Sequence, residues 1–276
     1  MAAEKIAFTK MEGAGNDYVY VDAIDQEFDL GRGPEIAAFV ADRHFGVGSD
    51  GLIVLDASST ADVRMHMWNG DGSRGGMCGN GVRCVAKLAY DRGHVSSPEL
   101  SVETDTGARS VRLLLDDLGT VVGARVDMGE VLIDDEPRSV HVAGRDWSYI
   151  AANAGSNHAV IFVDGDPDGL PLAQVGAALQ QSEAFPHGVN VEFVAVRSDG
   201  SLRQRTFERG SGETLACGSG ATAVACVALA TGRVTGSEVR VQLTGGSLII
   251  RREGSSLVME GPARTVFTGE IGLPNC

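Results

Sequence analysis

The sequence predicts an α/β chain of the α+β type, built as two pseudo-symmetric domains, each a mixed β-sheet wrapped around one central helix. Three observations predict it. The segment Arg64–Gly93 repeats without a gap as Arg203–Gly232, 139 positions on, so that Arg64 falls on Arg203, Trp68 on Phe207, Cys78 on Cys217, Gly79 on Gly218, Gly81 on Gly220 and Gly93 on Gly232. The register holds into the following strands, with Glu99 on Glu238 and Gly107 on Gly246. Each half also has more extended than helical pattern, which asks for sheets that bury a helix rather than a bundle.

In order, each half reads as follows. A Gly-rich loop enters a short strand, Glu12–Asp22 echoing Asn153–Asp164, with the strands at Tyr18–Val21 and Val160–Val163. A helix follows, Pro34–Phe45 in the first half and Pro171–Gln181 in the second, each with Pro at an early position where a missing N–H costs nothing. Strands at Leu52–Leu55 and Arg64–Trp68 match Val189–Val194 and Leu202–Phe207. A Gly-rich loop then delivers a cysteine. A second helix starts near Asn80 or Ser219 and stops at Gly93 or Gly232, where a left-handed glycine suits the end of a helix. Two strands follow each of these helices. The period is far too long for a solenoid.

Composition narrows the function. The 276 residues suffice for two domains of ordinary size, or one large one. Net charge is −14 with no basic stripe, which disfavours a nucleic-acid partner. No apolar run reaches ~18 residues, so no membrane partner is expected, and the start lacks the apolar core of a secretory signal. The five cysteines, Cys78, Cys84, Cys217, Cys226 and Cys276, are odd in number, which fits free thiols in a reducing cytoplasm better than a disulfide framework.

Cys78 and Cys217 stand at equivalent places, each at the mouth of a helix. A helix N-terminus carries partial positive charge and exposed N–H groups. A thiol there is expected to ionise more readily. The N–H groups of Gly79, Asn80 and Gly81, and of Gly218, Ser219 and Gly220, suit a carboxylate. Two halves facing each other would bring two thiols and two such helix ends into one cleft. Inverting an amino acid at Cα needs a base on one face and an acid on the other, and a thiolate and a thiol exchange those roles. N–H groups on the α-carboxylate stabilise the charge left as the proton departs. Cys84, Cys226 and Cys276 read as small hydrophobes.

Other polar positions cluster around the cysteine loops. Glu208 and Asn69 occupy equivalent strand ends. Glu208 suits an ammonium or a thiol proton, and Arg209 a second carboxylate gripped bidentately. His158 lies in the loop AGSNH. Asn16 and Asn190 fit turns as readily as contacts. Cofactors are not expected. Pyridoxal phosphate needs a Schiff-base lysine, and the three lysines are Lys5 and Lys10 near the start and Lys87 on the helix after Cys78. CGNGVRC has no second Cys or His pair at metal-finger spacing, and GSGATA is not followed by the acidic residue of a dinucleotide site.

With these residues in view, KMEGAGND, RHFGVGSDG, WNGDGSRGGMCGNGVRC, VDMGE, GVNVEF, ERGSGETLACGSGA and GGSL resemble the diaminopimelate epimerases over nearly the whole chain. The resemblance implies two pseudo-symmetric α/β domains with the site in the cleft between them. It implies no cofactor, interconversion of LL- and meso-diaminopimelate for lysine and peptidoglycan precursors, and a cytoplasmic homodimer. It makes Cys78 and Cys217 the catalytic thiols, with His158 and Glu208 influencing their protonation. Gly79, Asn80, Gly218 and Ser219 become the helix ends that hold the reacting carboxylate. Asn16, Asn69, Asn190, Glu208 and Arg209 become substrate contacts. The domains become 1–122 with a returning strand at 264–276, and 123–263.

Two departures bear on substrate. The family usually has Gly-Asn-Pro-His where this chain has Gly155, Ser156, Asn157, His158, so Ser156 and Asn157 stand where an amide and a rigid Pro are usual. Some members carry Gln where Gly51 stands. The rival within the class is a related racemase for another amino acid. Rivals from other classes are a thiol–disulfide redox protein, disfavoured by the absence of C-x-x-C, and a binding module without catalysis.

Overall fold

The computed structural model describes residues 5–274, which divide into two units. One ends at Val126 and resumes at Gly261; the other is Asp127–Glu260. Both crossings fall a few residues from the 122/123 and 263/264 divisions that the sequence predicts. Cys276 lies outside the described residues. Among the described residues no helix is long and apolar enough to cross a membrane.

In the first unit, β1 (Lys5–Gly13) and β2 (Asn16–Asp22) form a hairpin, and the last strand of the chain, Arg264–Gly272, pairs antiparallel with β1. β2 and β3 (Gly51–Asp56) are parallel, so the chain between them must cross over, and it does so through α1 (Gly33–Ala41). β4 (Val63–Asn69) returns antiparallel to β3, and β5 (Arg74–Gly75) folds back on its end. Then come α2 (Gly79–Asp91), β6 (Glu99–Thr104), β7 (Gly107–Leu115) and β8 (Val121–Asp127). β6 pairs parallel with β4, and β7 antiparallel with β6 and with β8.

The second unit repeats this order after β9 (Leu132–Ile133), β10 (Arg138–Val142) and β11 (Arg145–Asn153). β12 (Asn157–Phe162) and β13 (Asn190–Val196) are parallel and joined through α3 (Leu172–Gln180). β14 (Leu202–Glu208), β15 (Gly212–Thr214), α4 (Gly218–Ala230), β16 (Glu238–Gln242), β17 (Ser247–Glu253) and β18 (Ser256–Pro262) complete it. The duplication extends to register: Val63 faces Val102 and Arg64 faces Glu103, while Leu202 faces Val241 and Arg203 faces Gln242, every partner 139 positions on.

Three sequence expectations need correction. α1 ends at Ala41, not Phe45. Asp42 turns extended and its carboxylate takes the N–H groups of His44 and Phe45 at 2.7 and 2.8 Å, which ends the helix. Phe45 is exposed. The helix-like pattern past Ala41 is therefore a loop held by local bonds. A third strand, β8 or β18, follows each cysteine helix where two were expected. Its residues are partly exposed, so its pattern was weak. The third correction, the ionisation of Cys217, belongs to the site below.

α2 and α4 are the central helices. α2 packs against β1, β2, β3, β4, β6 and β7, and α4 against β11, β12, β13, β14, β16 and β17. Every residue of α2 from Gly79 to Ala89 is buried, and so is most of α4. A helix buried all round needs small residues where backbones approach, and α4 meets this with five alanines and two glycines. α1 and α3 cover the other sheet face. Ile36, Ala37 and Val40 join Val19, Val21, Leu52, Val54 and Trp68 in one core; Leu172, Val175 and Leu179 join Ile161, Val191, Phe193 and Trp147 in the other.

Candidate active site

The loops after β5 and β15 set Cys78 and Cys217 as the N-caps of two helices of 13 residues each. Their backbones match: φ −129°, ψ 115° at Cys78 and φ −123°, ψ 114° at Cys217. Each sulfur accepts the N–H of the residue three on, Gly81 at 3.3 Å and Gly220 at 3.4 Å. A thiol thus takes the place usual for Ser or Asp at a cap. The helices end alike, Gly93 and Gly232 at φ +78° and +68° just past the cap.

In the first unit Cys78 meets Asn16. The thiol donates to Asn16 Oδ1 at 3.2 Å, and Asn80 Nδ2 donates to the same oxygen at 3.3 Å. Asn16 Nδ2 donates to Asp50 Oδ2 at 2.7 Å, which fixes which end of the amide faces the sulfur. Asp50 is tied to Arg43 at 3.2 Å, and Arg43 to Asp17, which also pairs with Lys10. Asn80 Oδ1 takes Arg83 Nη2 at 2.8 Å, and Arg83, fully buried, spans to the Pro262 carbonyl at 3.0 Å. Asn16 is therefore more than a turn residue: it links strand β2 to the thiol. Asn69 ends β4 and donates to Ser73 Oγ at 2.9 Å. It pairs with Gly51, where an added Cβ would collide with the Trp68 carbonyl oxygen, so the Gln of some relatives does not fit this backbone unshifted.

In the second unit Cys217 sits among carboxylates. Glu208 is hydrogen-bonded to Cys217 and accepts from Thr214 Oγ1 at 2.5 Å. Ser219 Oγ lies 3.5 Å from the sulfur and 3.4 Å from Ser156 Oγ. Ser156 Oγ is 2.9 Å from His158 Nε2 and accepts from Asn190 Nδ2 at 3.3 Å. Asn190 Oδ1 takes the backbone N–H of Arg209 at 2.9 Å, and the Arg209 guanidinium donates to the His187 carbonyl at 3.0 Å. Asn157 stands apart: it faces Asn153 across the β11–β12 hairpin, exposed, and accepts that amide at 2.9 Å.

Glu192 is the residue that sequence reasoning missed. It is fully buried, and its Oε1 lies 2.8 Å from His158 Nδ1. Its Oε2 accepts from Gln204 Nε2 at 2.7 Å and Thr206 Oγ1 at 2.6 Å. The available signal was its presence in GVNVEF, two residues from Asn190 on the same strand face.

Cys217 also departs from expectation in its ionisation. Burial pushes its thiol well up, and the charges of Glu208 and then Glu192 push it further, against the pull of Ser219 and the Gly220 N–H. Desolvation here outweighs the helix N-terminus. Burial likewise raises the Glu208 carboxyl. Cys84, buried against Tyr20, is pushed up to about 11 chiefly by burial, and Cys226 is raised by burial too. A metal-like group of side chains occurs among the described residues at Asp22, Asp25 and His94, where His94 Nε2 is bonded to Asp22 at 2.7 Å; it holds neither cysteine.

Gly220 shows how tight the second cluster is. A Cβ there would run into the Glu192 carboxylate, whereas one on Gly81 would meet the movable tip of Ile53 at 2.6 Å. Gly→Ala in a helix ordinarily helps by ~1 kcal/mol. Gly220→Ala is expected to reverse that sign and cost ~1–3 kcal/mol through overpacking, with Gly81→Ala closer to neutral. Thermal unfolding of both variants checks it; equal melting temperatures would contradict the packing argument.

The fold is shared with solved structures of low sequence identity. A hydroxyproline epimerase from Agrobacterium vitis, solved with bound trans-4-OH-L-proline, has a TM-score of 0.77 at 17% identity, covering 98% of this chain and 93% of that one. A PhzF-family phenazine biosynthesis protein of Bacillus anthracis has a TM-score of 0.72 at 14% identity, covering 97% and 99%. At these identities the likeness establishes the fold alone: this chain has the same α/β fold as these proteins. Sequence relatives narrow it. The family described as diaminopimelate epimerase matches residues 8–133 and 150–266. A diaminopimelate epimerase of Leptospira biflexa serovar Patoc is 43% identical, over 98% of this chain and 100% of that protein. Those of Desulfovibrio desulfuricans and Methanococcus maripaludis are 44% and 41% identical, over 97% and 96% of this chain and 99% of each relative. This chain belongs to the diaminopimelate epimerase family.

Proposed function

We propose that this enzyme interconverts LL- and meso-diaminopimelate without a cofactor, using Cys78 and Cys217 as base and acid at Cα. The observation that carries the reading is the matched pair of cysteine N-caps, alike in backbone angles, helix length and sulfur–amide contact. One thiolate removes the Cα proton, and the other thiol delivers a proton to the opposite face. Run in the other direction, the two exchange roles. The first-turn N–H groups of Gly79, Asn80, Gly218 and Ser219 hold the α-carboxylate and stabilise the developing carbanion. Glu208 and His158 adjust thiol protonation. Asn69, Asn190 and Arg209 recognise the distal amino-acid group, and Asn16 orients Cys78.

Ser156 bears on substrate. Its hydroxyl is engaged with His158, Ser219 and Asn190, and Asn157 turns to Asn153 and does not replace the usual amide. The same reading makes the protein a cytoplasmic homodimer in lysine and peptidoglycan precursor synthesis. Deuterium wash-in at Cα from heavy water, run across a panel of amino acids, tests it. Labelling and inversion of diaminopimelate are expected. Labelling of another amino acid alone would instead select a related racemase.

A further inference from the structure

We propose that Asp50 is a positioning residue for Cys78: it holds the Asn16 amide with its oxygen toward the sulfur, and through that oxygen it favours the thiol form of Cys78 over the thiolate. The proposal deepens the reading of Cys78 as an acid–base group and rests on it.

Asp50 is itself held in place. Its backbone N–H donates to the Asp17 carbonyl at 2.8 Å, and its own carbonyl takes the Gly70 N–H at 2.8 Å. One carboxylate oxygen accepts from Asn16 Nδ2 at 2.7 Å and from the Asp17 backbone N–H at 3.1 Å; the other faces Arg43 Nη2 at 3.2 Å. All three partners are donors, as an acceptor-only carboxylate requires. Asn16 is buried, so both ends of its amide need partners. With the nitrogen on Asp50, the oxygen accepts from the Cys78 thiol at 3.2 Å and from Asn80 Nδ2 at 3.3 Å. Asn80 is turned in its own right, because its oxygen takes Arg83 Nη2 at 2.8 Å. Reversing the Asn16 amide would set oxygen against the Asp50 carboxylate and NH2 against NH2 at Asn80. The bond to Asp50 is the shorter and carries a charge, so it is the stronger restraint.

A fixed acceptor beside a thiol favours the neutral form, since a thiolate would face the same oxygen with no proton between them. The Gly81 N–H at 3.3 Å and the Arg83 charge pull the other way. The titratable or charged groups that interact with Cys78 are Tyr20 from β2 and Arg83 and Cys84 from α2, while Glu12 of β1 bears on Arg83 and Cys84. The second unit is wired differently. Leu52 falls on Val191 at the 139-residue offset, and these pair with Val19 and Ala159, so the register sets Asn16 on Ser156. Asp50 falls on Val189, a buried apolar residue. The two cysteine caps therefore share a helix geometry, but a carboxylate-held amide acts on Cys78 alone. Cys217 becomes an internal reference for any change made at Asp50.

The test uses the full chain with Asp50→Ala, Asn16→Ala and the double variant. Alkylation of Cys78 and Cys217 by iodoacetamide is followed against pH by mass spectrometry of each peptide. Asp50→Ala is expected to speed Cys78 alkylation near neutral pH by ~3–10-fold, the scale of one net hydrogen bond, and to move its profile to lower pH with Cys217 unmoved. Asn16→Ala should do the same to Cys78. The double variant should add nothing further, because Asp50 acts through Asn16. An undiminished effect of Asp50→Ala in the Asn16→Ala background would mean that its charge acts directly, and would overturn the positioning role. An unmoved Cys78 profile in folded Asp50→Ala, or an equal shift of both cysteines, would overturn it too. Circular dichroism checks the fold of each variant, and Asp50→Ser takes the place of Asp50→Ala should that chain not fold. The alkylation profile reads Cys78 even if no amino acid is epimerised, so the two ideas fail separately.

Discussion

Cys78→Ala and Cys217→Ala are each expected to lower diaminopimelate epimerisation by ~10⁴-fold, the upper range of a general acid–base contribution. Both cysteines are caps, so a modest loss of stability, ~1 kcal/mol, accompanies the change. Far-ultraviolet circular dichroism should therefore remain that of the parent. The informative readout is exchange without inversion. Each variant keeps one thiol, and a lone base tends to return a proton to the face from which it came. Slow deuterium wash-in at Cα with retained configuration is thus expected, in opposite stereoisomers for the two variants. Undiminished inversion in either variant would remove that cysteine from the reaction. A binding module without catalysis predicts no exchange in the parent protein at all.

Glu208→Gln is expected to have the next largest effect, a fall in kcat of ~10²-fold with a shift in the ionisation of Cys217. The sign follows from the environment. After burial, the Glu208 charge is the foremost influence raising the Cys217 thiol. Removing that charge while keeping the shape of the side chain makes the thiolate easier to form. The pH profile of Cys217 alkylation should therefore move to lower pH in the variant. Thr214 keeps a partner, since a Gln oxygen accepts its hydroxyl as Glu208 does now at 2.5 Å. Faster thiolate formation with slower turnover would separate the two roles: Glu208 keeps Cys217 protonated as an acid, and a more acidic thiol is not by itself a better catalyst. An unmoved alkylation profile would mean that the charge is screened and that Glu208 acts elsewhere.

The sequence by itself determined the repeat, the four helices, the strands that lead into them, and the two cysteines at the helix mouths. These features are local. Proline at the start of α1, glycine past α2 and α4, and short apolar runs in β3 and β13 state their conformations within a few positions. The family, too, was legible, because its motifs lie in those glycine loops. What surrounds each thiol was decided only by tertiary structure. Asn16 reaches Cys78 across 62 positions, and Glu192 reaches His158 across 34, through the pairing of β12 with β13. A helix mouth alone argues for an easily ionised thiol; burial beside two carboxylates reverses this at Cys217. Desolvation and long-range charge depend on which strands become neighbours and how far water is excluded. No local pattern encodes either, so Glu192 looked like an ordinary strand residue until the sheet placed it under His158.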